Sequence, residues 1–215
     1  MERLTITAHM KTPFITGGGY MTFDALLAGI LFDQLQDVEA AHSSVPIKCT
    51  DGLFHASAAM YEPYDQSKVT FVANLRAKHN LDSNLIMKNK NGSTHSRINE
   101  SKRQKYGLVL NSYDCVNTER IEWYVEGDSE QIKRLVEPIS FIGKRRASGY
   151  GEIDSWSFDE SELNGLLGYL DEPLRPIPEE MYLGDTKAVR AEAGWKPAYW
   201  HPKNRAICFI PEVVV

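Results

Sequence analysis

Apolar and polar residues alternate from the start of the chain. In "RLTITAHM" (residues 3–10) Leu4, Ile6 and Ala8 share one phase and polar residues the other, which predicts a half-buried strand. After the glycine-broken "KTPFITGGGYM" the period changes. From Thr22, in the N-cap position, Phe23, Leu26, Leu27, Ile30, Leu31, Leu35 and Val38 recur at helical spacing, with Asp24 in the favourable first turn. "GLFHASAAMYE", "KVTFVANLR", "YGLVLNSYDC" and "RIEWYVEG" read as strands, and Asp128 with Gln131 three residues on caps a second helix, "SEQIKRLVEPI". "YGEIDSWSF" is one more strand. Beyond it come a helix-like "DESELNGLLGYL", the proline-rich "EPLRPIPEEM", and a tail whose last run predicts a strand returning to a sheet.

The order is strand, helix, an inserted region, strand, helix, strand. Without the insertion it approximates βαββαβ, so the expected class is α+β with a ferredoxin-like core of the kind RNA-recognition domains use. Residues 1–160 form that expected core, the insertion occupies about 40–105, and residues 161–215 are a C-terminal extension packing on the core.

The chain has 215 residues, 42% of them hydrophobic, enough to bury a core without staples. Cys49, Cys115 and Cys208 are odd in number and widely spaced, which points to buried free thiols rather than disulfides or zinc. No leader-like start and no long apolar run is apparent, so the expected setting is soluble, reducing and cytoplasmic, away from membranes.

Charge changes the picture more. The net charge is −5, but from Lys68 to Lys105 nine basic residues face two acidic ones, a net +7, whereas residues 152–192 carry a net −8. The basic segment includes Arg76, Lys78, Lys88, Lys90, Arg97, Lys102 and Arg103. Such asymmetry suits a polyanion on one face; a solvated projecting loop around Asn91-Gly92 is the plainer alternative.

The densest cationic stretch is "IGKRRASGYG" (142–151). Gly143, Gly149 and Gly151 permit positive φ and close approach of backbone N–H groups to phosphate, while Lys144, Arg145 and Arg146 supply charge, Ser148 a hydroxyl and Tyr150 a ring for stacking. Lys11 is a further candidate contact. The tail "GWKPAYWHPK" interleaves Trp195, Tyr199 and Trp200 with Lys196, His201 and Lys203, which suits base stacking, although two tryptophans near proline suit packing of the tail onto the domain somewhat better. "GGGYMT" matches no nucleotide signature and reads as a tight turn or a phosphate site at a helix start. Metal-free RNA cleavage would draw on His9, His55, Tyr150 and Lys144, which no spacing brings together, and the histidines form no metal-binding pattern. No cofactor is expected.

With the strand leading into "TPFITGGGYMTFDALLAGIL", the late "ISFIGKRRASGYGEI" and "LRPIP", the sequence resembles the CRISPR-associated RAMP superfamily, RNA-binding proteins with a ferredoxin fold and a glycine-rich loop. "TFDALLAGIL", "RPIP" and "KPAYW" are most similar to the type IV effector subunit that is like the five-prime-handle-binding subunit of type I complexes. The resemblance implies a non-catalytic subunit that grips the 5′ handle of the guide RNA and caps a filament of backbone subunits. Its partners would be that RNA, neighbouring backbone and large subunits, and target DNA as an open question. Gly143 to Gly151 would be the RNA-contacting loop and the basic insertion a thumb. Some relatives cleave guide RNA, so a metal-independent endoribonuclease is the alternative.

Overall fold

A computed structural model of the chain describes residues 1–73, 91–92, 109–185 and 187–212. Its elements are β1 (Glu2–Met10), α1 (Phe23–Leu35), α2 (Val38–Ser43), β2 (Asp65–Ala73), β3 (Val109–Asn117), β4 (Arg120–Gly127), α3 (Ser129–Val136), β5 (Ile153–Glu160), β6 (Arg190–Gly194) and β7 (Arg205–Phe209), with shorter bridges between them. The class is α+β with small antiparallel sheets. The chain divides into two compact units, residues 1–66 with 116–215, and residues 67–115.

In the first unit β1 lies between β4 and β5, antiparallel to both. Its period-two pattern decides what it buries. Leu4 is opposite Val125, Ile6 lies between Trp123 and Phe158, and Ala8 between Ile121 and Trp156, so large neighbours flank the smallest inward residue. Phe23, Leu27 and Leu31 of α1 and Ile132 and Val136 of α3 share this core, and the two helices pack on each other. Fully burying each such Leu, Ile or Phe contributes roughly 1.5–3 kcal/mol. α3 starts as its sequence predicts: Asp128 accepts the Gln131 N–H at 2.9 Å and the Gln131 side-chain amide at 2.8 Å. Thr22 is in the N-cap position of α1 but makes no side-chain cap bond, and Asp24 is fully buried rather than exposed in a solvated first turn.

Along the outer edge of β4 runs an irregular segment, residues 46–60, in place of the strand expected over 52–62. Lys48 donates to the Glu126 carbonyl, Glu126 to that of His55, Ser57 to that of Tyr124, and Met60 and Glu122 exchange bonds, all at 2.8–2.9 Å. Between these the chain makes a small hairpin at 49–54, and the Ser57 hydroxyl takes the Tyr124 N–H that a regular ladder would bind through a carbonyl.

The helix expected over 159–170 does not form. β5 continues to Glu160, and the Ser161 hydroxyl and Asn164 amide oxygen then capture the N–H groups of Leu163 and Leu166. Such local bonds compete with helical ones, and Gly165 and Gly168 weaken a helix further. The segment instead crosses the sheet. Ser161 donates to the Arg3 carbonyl, Gly165 lies against the Tyr124 carbonyl, and the Leu174 carbonyl accepts from Ala58. The tail does return as a strand: β7 pairs with β6 and, on its other side, with residues 177–178. Cys115 and Cys208 are buried free thiols as expected, whereas Cys49 is exposed.

The described part of the second unit consists of β2 and β3 side by side, with Lys68 Nζ 3.9 Å from Asp114 on an exposed face. Arg76, Lys78, Lys88, Lys90, Arg97, Lys102 and Arg103 lie outside the described residues. Among the described residues no helix is long and apolar enough to cross a membrane.

Candidate nucleic-acid interface

The loop at 142–151 sits between the end of α3 and β5, and backbone bonds fix both of its ends. Ile142 donates to the Gly151 carbonyl at 2.9 Å, Gly151 to Pro13 at 2.8 Å, and Lys144 to Ile15 at 3.0 Å. Thr12 clamps it again, donating its hydroxyl to the Gly149 carbonyl and accepting the Glu152 N–H, each at 2.9 Å. Two glycines are demanded by this closure. A β-carbon at Gly143 would stand 2.8 Å from the Ile15 carbonyl, one at Gly151 would collide with the Ile142 carbonyl, and both residues have positive φ. Arg145 also adopts left-handed backbone, φ 61°, and leads into a single 3-10 turn over Arg146–Ser148 that ends at Gly149.

The result is a loop whose backbone is tied down along its length. Lys144, Arg146, Ser148 and Gly149 are exposed, with Arg145 and Tyr150 half-buried. Lys11 borders the frame and is tied to Glu152 at 2.7 Å, a hydrogen bond and charge that hold its ammonium above the ordinary lysine pKa.

The triple-glycine loop lies beside this one, through the Ile15–Lys144 bridge and through Lys144 Nζ, 3.4 Å from the Gly17 carbonyl. Together with residues 58–64 and 118–122 the two loops enclose a cleft of about 850 Å³. Tyr20, Tyr61 and Tyr64 line it with Met21 and Met60, and Glu62, Glu119, Arg120, Glu122 and Lys144 bring charge. Burial pushes the Tyr20 and Tyr61 phenols above their ordinary values. Unlike Gly143 and Gly151, Gly18 and Gly19 have nothing within 4 Å of where a β-carbon would stand. In the sequence only "YEPY" (61–64), two aromatics beside a proline, hints at this cleft.

Trp195 and Lys196 sit elsewhere, against the turn at Gly52, with Lys196 Nζ stacked 4.6 Å above the Trp195 ring. Trp195 is held there by a buried cluster centred on Arg175. Arg175 Nη1 donates to Asp24 at 3.1 Å and to the carbonyls of Phe54 and Ala56 at 2.6 and 3.0 Å. Its Nη2 donates to the Trp195 carbonyl and the Tyr199 hydroxyl at 2.8 and 2.7 Å, and Tyr199 donates in turn to Asp24. Nε finds no acceptor among the described residues. Burial opposes charge on Arg175, but Asp24 and Tyr199 outweigh it and raise its pKa, while burial and then the Asp24 charge drive the Tyr199 phenol far up. The "TFD", "RPIP" and "KPAYW" motifs therefore meet in one place inside the protein, where they fasten the C-terminal extension to α1.

The histidines do not converge on the loop. His9 is exposed, 3.1 Å from Ser157. His55 is buried, with Nε2 3.0 Å from Thr50 and Nδ1 3.5 Å from Glu126, which also binds Lys48 at 2.7 Å. Burial, then the Lys48 charge, holds His55 below the ordinary histidine pKa. Among the described residues no cluster could hold a metal ion. In comparisons with known proteins, no family model matches the chain and no curated sequence is similar to it.

Proposed function

We propose that the chain is a non-catalytic RNA-binding subunit of a type IV-like CRISPR ribonucleoprotein of the RAMP superfamily, gripping the 5′ handle of a guide RNA through the loop at 142–151. One observation carries the reading: Lys144, Arg145 and Arg146 ride on a glycine-pinned backbone whose ends are bonded to residues 13–15, so their charges are presented without first ordering a loop. A frame of this kind suits phosphates and takes no account of base identity. The chain order also agrees with a ferredoxin-like core. Sheet order β4-β1-β5, with α1 and α3 in the connections, is the arrangement that fold uses, and residues 46–60 would stand for its remaining strand. His55, buried with Nε2 bonded to Thr50, favours this reading over an endoribonuclease that needs an accessible base.

Changing Lys144, Arg145 and Arg146 together to alanine should weaken binding of single-stranded RNA and lower the slope of log affinity against log salt by about 2, since each lost phosphate contact removes roughly 0.7. An unchanged slope would make the loop ordinary surface. Incubation of the protein with CRISPR repeat RNA in EDTA separates the alternatives: a product ending in a 2′,3′-cyclic phosphate would overturn the non-catalytic role.

A further inference from the structure

The cleft beside the loop has a chemistry that phosphate binding does not explain. Its walls are aromatic, from Tyr20, Tyr61 and the exposed Tyr64, and carboxylates outnumber cations among its charged residues: Glu62, Glu119, Glu122 and Glu212 against Arg120, which is paired with Glu122 at 3.1 Å, and Lys144 at the mouth where the two glycine loops touch. Carboxylates repel phosphate, so the backbone of a nucleic acid belongs outside, along the 142–151 loop. What fits inside is flat, neutral and rich in hydrogen-bond donors. Gly18 has left-handed backbone, φ 69°, which by itself calls for glycine, and with nothing within 4 Å of where a β-carbon would stand its backbone is open to a ligand.

We propose that this cleft receives one everted base of the bound single-stranded RNA and that its carboxylates select guanine. The inference rests on the RNA-binding reading above. Guanine offers N1–H and the N2 amino group side by side, which one carboxylate accepts as a pair. Cytosine and adenine offer an amino group only, and uracil sets carbonyl oxygens on both sides of its single N–H. A volume of about 850 Å³ is ample for a nucleoside beside the aromatic lining.

The test compares a labelled twelve-residue oligouridylate with a set in which one guanosine is moved along the chain, and adds GMP as a competitor. At least one guanosine position should bind roughly tenfold tighter than the parent, the size of one stacked and paired base. Tyr64→Ala should lower affinity for that oligonucleotide, and Glu62→Gln with Glu119→Gln should erase the preference while leaving oligouridylate binding intact. The alanine triple at 144–146 should weaken all oligonucleotides alike. Salt-dependent binding that is blind to guanosine overturns the base pocket and leaves the phosphate-binding loop standing. GMP binding without preference among the RNAs overturns it too, in favour of a free-nucleotide site. Failure of every oligonucleotide to bind overturns the RNA reading and the pocket with it.

Discussion

Arg175 and the run Lys144–Arg146 look alike in sequence, each a cationic motif next to prolines or glycines, yet the protein uses them in opposite ways. Arg175 is fully buried and meets five acceptors supplied by α1, the 54–56 segment and the tail. The loop cations have their backbone fixed just as firmly, but Lys144 and Arg146 are exposed and Arg145 only half-buried. In one case the fold uses up the charge to hold three distant segments together. In the other it uses glycines and Thr12 to hold the backbone that carries the charge. What separates the two is burial: Arg175 is held by interior acceptors, whereas Lys144 and Arg146 reach the surface.

Arg175→Met should break that contrast most visibly. Removing the cation strands Asp24 in the interior, and losing one partner of a buried ion pair costs about 3–5 kcal/mol. Adding Asp24→Leu should recover much of the loss, since a well-packed apolar pair can replace a buried ionic one. Urea unfolding midpoints at fixed slope check both. If Arg175→Met changed stability no more than the alanine triple at 144–146, the cluster would not be the fastener described.

Little of this contrast was legible in the sequence. β1, β4, β5, α1 and α3 were, because each carries its own period or cap: Leu4-Ile6-Ala8 at period two, Asp128 with Gln131 at the start of α3. Residues 46–60 and 159–170 were not. Their geometry comes from distant partners, the β4 edge for the first and, for the second, β4 together with local Ser161 and Asn164 bonds. Arg175 and Asp24 are 151 residues apart, and nothing in "RPIP" alone says that its arginine points inward. The loop's cations could be read from composition; the cleft could not, since residues 16–21, 58–64 and 118–122 meet only in the fold.

The glycines sharpen the comparison inside the loop itself. Gly151→Ala forces left-handed backbone and a collision with the Ile142 carbonyl, so a loss of about 2–3 kcal/mol is expected. Gly149→Ala shares the positive φ but meets open space, and should lose only about 1 kcal/mol. Thermal melts of the two variants side by side would show it. Equal losses would mean that close packing does not pin the loop.

His55 gives a pH arm to the same question of buried against exposed charge. Its folded pKa lies below the ordinary 6.5, so the unfolded chain binds the proton more readily. Stability from neutral His55 is complete above pH 6.5 and falls as pH drops from there toward the folded value. Glu126, held below the usual carboxylate range despite burial by Lys48, His55 and Arg3, adds a second loss only further into acid. His55→Gln should therefore flatten the decline that begins at pH 6.5 and leave the later one.

The smallest expected effect separates charge from its presentation. Arg145 occupies left-handed backbone at φ 61°, a conformation that costs an L-residue about 1–2 kcal/mol. Arg145→Gly relieves that strain, and the greater freedom of glycine in the unfolded chain takes back part of the gain, so the melting temperature should move by less than the equivalent of about 1 kcal/mol. RNA affinity should nevertheless fall by one phosphate contact, with a salt slope lower by roughly 0.7. Arg145→Ala keeps the strained backbone and should lose the same slope. If the glycine variant bound RNA as weakly as the alanine triple, the rigid frame would matter more than the charges it carries. If both single variants lost one contact and no more, each cation would act alone on a backbone that glycine and Thr12 already hold.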